Sequence, residues 1–342
     1  GVGYCWGNNF YTAEANGELG NGSTSHAGQP TLVAGSLTFR RISTGYVHSC
    51  GLTTSGEAWC WGWNPHGNLG DGTLTTRTSP VRVAGAPAFT AVGAGTVHSC
   101  GLTESGQVWC WGAGGNGQLG NGTPVRSLAP VQVQGAPPFT SLAVGGFHNC
   151  GLTTTGEAWC WGRNSFGQLG RGPSPDSPVP QVVQGGFTFV SLSAGSSNVC
   201  GVDVNGRVFC WGSGAFGQLG NGATNPSNVP VSIQSDLRFT VVSAGNEHEG
   251  VQEHTCAIST GRQLYCWGAN NFGQLGNGST ANSSTPVPVA SSVQFATVSS
   301  GGFYTCAVAV NLGDAYCWGR NQYGELGTQT ASRSVPTAVV RP

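Results

Sequence analysis

His48-Ser49-Cys50-Gly51-Leu52-Thr53-Thr54-Ser55-Gly56-Glu57-Ala58-Trp59-Cys60-Trp61-Gly62 is the stretch from which the fold can be read. Two short runs flank Thr54-Ser55-Gly56, a tripeptide suited to a three-residue hairpin loop with glycine in the left-handed position. Such a loop sets Cys50 directly opposite Cys60. Directly opposed residues of an antiparallel pair have Cα atoms within reach of a disulfide.

The stretch recurs along the chain. Cys-Trp-Gly begins at Cys5, Cys60, Cys110, Cys160, Cys210, Cys266 and Cys317, with a central spacing of 50 residues. Cys50/Cys60, Cys100/Cys110, Cys150/Cys160, Cys200/Cys210 and Cys256/Cys266 are each ten residues apart. Cys306/Cys317 are eleven apart, an insertion that a four-residue loop ending at Gly313 absorbs. Six disulfides are expected, with Cys5 left over, and they imply an oxidising compartment. Buried free thiols and a zinc site are the alternatives. Two opposed cysteines without nearby His-x-x-His or Cys-x-x-Cys spacing supply too few ligands for tetrahedral zinc.

Upstream of six of these tripeptides lies Phe-x-x-(Val/Ile/Leu)-x-x-Gly, starting at Phe39, Phe89, Phe139, Phe189, Phe239 and Phe295; downstream come Gly-x-Leu-Gly and a Val-Pro or Pro-Val stretch. In the unit at Phe89, strands are expected at 89–93, 97–103, 107–111 and, after a long loop, 130–133. Four short antiparallel strands per repeat, without helical periodicity, make a propeller blade. The expected architecture is an all-β, seven-bladed propeller in one domain over 1–342. Its full blades are 39–88, 89–138, 139–188, 189–238, 239–294 and 295–342. Residues 1–38 supply the third and fourth strands of a partial blade, the fourth ending at 31–33. Trp, Leu and Val from adjacent units are expected to share one continuous core.

Composition narrows the function. The 342 residues include 58 glycines, 8% charged residues and a formal net charge of −1. The 13 basic side chains are all Arg, with no run longer than Arg40-Arg41. Nucleic-acid binding, which draws on clustered Lys and Arg, is therefore not expected. No apolar stretch approaches the roughly 20 residues of a membrane-spanning helix, so membrane insertion is not expected either. The absence of Met, even at position 1, leads to the expectation that translation began upstream.

Phe-Thr-x-(Val/Leu)-x-x-Gly-x-x-His-x-Cys-Gly-Leu-Thr-x-x-Gly-x-x-Trp-Cys-Trp-Gly, followed by Gly-Gln-Leu-Gly-Asn-Gly, resembles the regulator of chromosome condensation repeat across essentially the whole chain. The resemblance implies a seven-bladed propeller. The family includes nuclear exchange factors for a small GTPase, plant ultraviolet receptors and secreted bacterial propellers resembling inhibitors of β-lactamases, and a shared fold does not choose among them. Of these, the cysteines favour the secreted bacterial type.

Trp59, Trp109 and Trp159 recur at one strand position, as core residues do. His48, His98, His148 and His254 recur two residues before the upstream Cys, with Asn198 and Tyr304 in the other blades, which points to local hydrogen bonding. No nucleophile elbow, HExxH or P-loop is present, so no enzyme, catalytic residue or cofactor is expected.

Departures from the repeat are where function is sought. Asn246–Glu253 lengthens one inter-strand loop by six residues, gathering Glu247, His248, Glu249 and Glu253 beside His254. A partner site is one reading, a weak metal site at His248 and His254 another, and a solvated acidic loop the plain one. Asn9–Glu14 lengthens another loop by five residues and adds Phe10 and Tyr11, either a partner anchor or local packing. Gly172–Pro178 reads as a stiffened surface loop. Asn21, Asn121, Asn277 and Asn282 head Asn-x-Ser/Thr sequences; at the Asn-Gly steps a turn is the stronger reading than glycosylation. The partial blade lacks two strands and a partner for Cys5. An upstream segment, another part of a longer precursor, or a second molecule adding strands could supply them.

The expected function is a non-enzymatic extracellular module presenting propeller-face loops to a protein or glycan. The alternatives are a fibre or sheath subunit that self-associates through the incomplete blade, and a secreted inhibitor of an enzyme.

Overall fold

The structure, a computed structural model, describes residues 1–11, 14–246, 253–311, 313–328 and 331–340, with Phe10, Tyr11, Glu14 and Ala15 as backbone alone. Six four-stranded antiparallel sheets, each in the order first-second-third-fourth, follow one another along the chain. The sheet of blade 1, residues 39–88, consists of Phe39–Thr44, His48–Thr53, Ala58–Gly62 and Arg77–Arg82. Before it, Tyr4–Gly7 pairs with Ala27–Leu32 as the third and fourth strands of the partial blade.

The central hairpin forms as its turn chemistry dictates. Gly56 has φ +84°, the Gly56 N–H donates to the Thr53 carbonyl, and the Thr53 N–H donates to the Glu57 carbonyl. Pairs 53/57 and 47/63 are thus hydrogen-bonded, and stepping inward by twos puts 50/60 on a non-hydrogen-bonded pair, where Cα atoms come closest. Cys50 and Cys60 are indeed opposite one another, 4.1 Å apart at Cα, and bonded. So are Cys100–Cys110, Cys150–Cys160, Cys200–Cys210 and Cys256–Cys266. In blade 6 the Ala309 N–H bonds the Asp314 carbonyl across the longer loop, and Cys306–Cys317 keeps the opposition.

Strand limits differ from the sequence reading, chiefly at the fourth strand, which in blade 2 spans Ser127–Gln132 instead of 130–133. Cys110 faces Val131 but Gly112 faces Ser127, so an irregularity at Trp111 lets pairing run on. The other three strands of that blade are Ala91–Ala94, His98–Leu102 and Val108–Gly112. For the same reason the partial blade's fourth strand is Ala27–Leu32, ahead of 31–33, and blade 6 ends with Arg333–Ala338. Proline recurs in these strands, as at Pro80, Pro130 and Pro230, because the fourth strand is an outer edge. There a missing N–H costs no ladder bond and discourages edge-to-edge pairing.

The first strands lie innermost. The Ala94 N–H donates to Ser43 Oγ and the Ala244 N–H to Ser193 Oγ, each from one blade's first strand to the next. The core is not the single continuous one expected. It divides into clusters between neighbouring blades, since flat sheets stacked radially bury their faces pairwise. One such cluster joins Cys50, Leu52, Cys60 and Leu69 of blade 1 to Phe89 and Trp111 of blade 2. Trp61, Trp111, Trp161, Trp211, Trp267 and Trp318 are fully buried. Trp59, Trp109 and Trp159, which the sequence marked as core, only flank these clusters half-buried.

The indoles explain Gly-x-Leu-Gly. Trp61 Nε1 donates to the carbonyl of Glu18, Trp111 to Asn68, Trp161 to Gln118, Trp211 to Gln168, Trp267 to Gln218 and Trp318 to Gln274. The acceptor is the second residue of that motif in the preceding unit. Gly120, which ends it in blade 2, has φ +66°, and a Cβ there would lie 2.8 Å from Trp161 Nε1. Backbone conformation and ring proximity both exclude a side chain.

Candidate functional site

Strand order fixes two faces. Running 1-2-3-4 antiparallel, each blade sends its first-to-second turn and its third-to-fourth loop to one end, here termed the loop face. Its short second-to-third hairpin and the link to the next blade go to the other, the hairpin face. Gly172–Pro178 occupies a loop-face position, as do Asn9 and Asn246 at the starts of the two lengthened loops.

A cleft of about 640 Å³ opens on the loop face across blades 1 to 3. Its origin is local. The third-to-fourth loop of blade 1 begins Trp63-Asn64-Pro65-His66, and that of blade 3 begins Arg163-Asn164-Ser165-Phe166, but blade 2 has Ala113-Gly114-Gly115-Asn116. In blades 1 and 3 the Asn braces the loop: Asn64 and Asn164 accept from the Leu69 and Leu169 N–H groups. In blade 2 that position is Gly114, where a Cβ would strike the Val125 carbonyl. Small residues thus leave a hollow between larger neighbours. Trp63 and His66 stand on one side with rings 5.3 Å apart, Phe147 on the other, and Val97 between.

Among the described residues, Arg126 lines the cleft and Arg163 sits over the Phe147 ring at 5.7 Å. Burial, reinforced by Arg126, lowers the His66 pKa and favours its neutral form. A second aromatic cluster lies across the same face, where Arg320 stacks 4.2 Å over Phe303, which meets Phe272 edge-on, and where His26 packs on Tyr323.

The residues singled out from sequence are dispersed. Glu247, His248 and Glu249 lie outside the described residues. Glu253 is buried and accepts from Gln218 Nε2 at 3.0 Å, so it is no part of a solvated loop. Phe10 and Tyr11 pair with Glu14–Ala15 as a small hairpin. His254 Nε2 donates to Thr305 Oγ1 at 2.7 Å, and no group of metal-ligating side chains forms among the described residues. Gly172–Pro178 is tied down by Asn164, whose N–H donates to Asp176 and whose amide donates to Ser174. At the Asn-Gly steps, the Asn21, Asn121 and Asn277 side chains accept from the N–H two residues on, as turns of this kind require. Asn282 accepts from the Asn270 N–H.

Three of the four recurrent histidines bond across blades, contrary to the local bonding expected, while His148 finds no hydrogen-bond partner among the described residues. Ser99 Oγ donates to the Asn68 carbonyl and so accepts from His48 Nε2–H. His98 donates to Asn149 in the same manner. Burial pushes His48 and His148 down to about 3, and His98 and His254 down to about 4. Such imidazoles are neutral struts.

Cys5 is the one free cysteine, buried in the partial blade opposite Thr31, with its thiol pushed up to about 12 by burial. The cleft itself went unnoticed in the sequence. Its signal is the Ala-Gly-Gly interruption, a loss of bulk rather than an insertion.

The profile described as RCC1-like domain matches residues 1–251, and that of the regulator of chromosome condensation (RCC1) repeat matches 263–308 and 313–342. The chain belongs to the RCC1-like family. Among RCC1-like relatives, Ultraviolet-B receptor UVR8 of Arabidopsis thaliana is 36% identical over 78 residues, 22% of this chain and 18% of the receptor. Probable E3 ubiquitin-protein ligase HERC4 of Homo sapiens is 34% identical over 77 residues, 22% of this chain and 7% of the ligase. These matches span less than a fifth of either relative.

Yeast RCC1 (Prp20), solved bound to Kap60, superposes with a TM-score of 0.83 at 20% identity over 99% of this chain and 83% of its own. Human WBSCR16 gives 0.82 at 19% identity, over 93% and 85% respectively. At these identities the likeness is one of fold, a propeller of four-stranded antiparallel blades.

Proposed function

We propose that this chain is a non-enzymatic interaction module that works outside the cell and presents its loop face to a protein partner. The carrying observation is positional. The cleft over Ala113–Gly115 and the proline-rich loop depart from the repeat on one face, where Asn9 and Asn246 also begin the two lengthened loops, while the hairpin face keeps short turns. Loops held by a rigid scaffold are where binding residues concentrate.

Twelve of 13 cysteines in disulfides support an oxidising compartment, because such bonds are rare where thiols are kept reduced. The solved yeast relative binds a protein, Kap60, and Prp20p has been studied for binding to Gsp1p and histones. The mode, not those partners, supports the reading here.

A photo-crosslinking amino acid at Val125 on the loop face and at Val204 in a hairpin-face turn makes the test, since the two are matched at 61% and 59% exposure. Returned to its native source, the protein is expected to crosslink to a protein partner from Val125, or from Phe272 across the same face. Crosslinks from Val204 alone would overturn the assignment.

A further inference from the structure

We propose that a β-hairpin of the same polypeptide, lying outside residues 1–342, completes the partial blade by seating in a notch between blades 6 and 1 and bridging to Cys5. This surface is separate from the loop face and does not rest on the reading above.

Six of the seven joints between units hold a buried apolar cluster. At the joint from blade 1 to blade 2, Cys50, Leu52, Cys60, Leu69 and Val83 are covered by Phe89, Val92 and Ala94 of the next first strand and by Trp111 of the next third strand. On blade 6 the same places are held by Cys306, Val308, Cys317, Leu326 and Val339, and across from them stands Trp6 in a sheet of two strands. Val308 is 36% exposed, against 0% for Leu52 and 2% for Ile258. Val339 and Trp6 are only half-buried, whereas Val83 and the other six indoles of this kind are buried. Apolar surface is bare where a first strand would lie.

The complete blades specify the occupant. Phe89 and Val92 face the preceding blade from the first strand, while Cys100 and Leu102 face the following one from the second. A hairpin carrying Phe-x-x-Val and then Cys-x-Leu therefore covers Val308 on one side and extends the Cys5 cluster on the other. Its second strand pairs with the open edge of Tyr4–Gly7, where its cysteine meets Cys5 as Cys100 meets Cys110. The bridge forms when the two thiols pass two electrons and two protons to a disulfide oxidant, which leaves as two thiols.

Both joints to such a hairpin already exist. The Phe39 N–H donates to the Gly1 carbonyl, as the Phe89 N–H does to Gly56 at the close of a hairpin turn. The Val339 N–H donates to the Ala315 carbonyl, as the Val83 N–H does to Ala58 where the chain leaves one blade for the next. Tethering at these points raises the local concentration of the hairpin, so a separate chain competes poorly.

The test begins with the 342-residue chain, in which Cys5 is free. A synthetic copy of residues 89–103 with Cys100→Ser is expected to bind it and raise its unfolding midpoint. Val308→Glu, a charge at an already exposed place, should weaken binding at least about tenfold. Phe89→Ser with Val92→Ser in the peptide should do the same without touching the protein. Supplied as the mixed disulfide of Cys100 with thionitrobenzoate, the peptide should transfer to Cys5: the thiol releases its proton to solvent, the new S–S bond forms and thionitrobenzoate leaves. With the cysteine moved to position 99 it should not transfer, because a one-residue step turns it to the opposite face. In the polypeptide isolated from its native source, Cys5 should be bridged to a peptide of that same polypeptide.

No binding, binding unchanged by both sets of substitutions, or equal transfer from positions 99 and 100 would overturn the proposal. So would a native Cys5 that is bridged to a different polypeptide or recovered as a free thiol.

Discussion

The indole Nε1 of Trp6 donates a 3.0 Å hydrogen bond to the carbonyl of Glu325, 319 residues away. It is the seventh instance of the indole-to-carbonyl bond that joins every neighbouring pair of units, and it closes the ring. The partial blade therefore occupies a true blade position between blades 6 and 1. Trp6→Phe, which keeps the ring and removes the donor, is expected to destabilise the fold by about 1–3 kcal/mol, the cost of stranding a buried carbonyl. Chemical denaturation should show a lowered midpoint; an unchanged midpoint would mean that Trp6 does not close the circle.

Gly120→Ala attacks the same joint from the acceptor side. Left-handed backbone and the crowding of Trp161 act together, and about 2–5 kcal/mol of destabilisation is expected. Gly115→Ala, in open space five residues earlier, is the control and should leave the midpoint in place.

His148 differs from its counterparts. His48, His98 and His254 find Ser99, Asn149 and Thr305 in the next blade, whereas the equivalent residue facing His148 is Val199, and both His148 nitrogens lack a partner among the described residues. Val199→Thr would restore the arrangement seen at Thr305, accepting from the imidazole and donating to the Gln168 carbonyl. A gain of about 1 kcal/mol is expected from calorimetry or denaturation. A loss would show that the hydroxyl cannot reach.

The four buried histidines also set a pH dependence. Their folded pKa values, about 3 to 4, lie below the ordinary 6.5, so the unfolded chain takes up protons first. Their stabilising contribution is complete above about pH 6.5 and is lost as pH falls towards 4, at about 1.4 kcal/mol per pH unit for each group. His98→Asn, copying Asn198 of blade 4, should flatten the curve by one such increment. An unaltered slope would show that His98 protonates freely in the fold.

What the sequence revealed and what it hid follow from physical range. Cys50/Cys60 and Gly56 were legible because a three-residue loop determines cross-strand register within ten residues. The ring closure by Trp6, the cross-blade bonding of His98 and the burial of Glu253 join units far apart in sequence, where no spacing rule applies. Repeat comparison found the insertions at 9–14 and 246–253 because added residues shift the register. It passed over Ala113-Gly114-Gly115, because removing bulk leaves the register intact and shows only once the neighbours, Trp63 and Phe147, are placed in space.

Every full blade of the ring carries its own bridge. The measurement that tests it is alkylation of the denatured but unreduced chain, read by intact mass and non-reducing peptide mapping. One adduct, at Cys5, is expected, with the other twelve cysteines recovered as the six hairpin pairs from Cys50–Cys60 to Cys306–Cys317. Thirteen adducts, or bridges running between blades, would contradict both the blade register and the extracellular assignment.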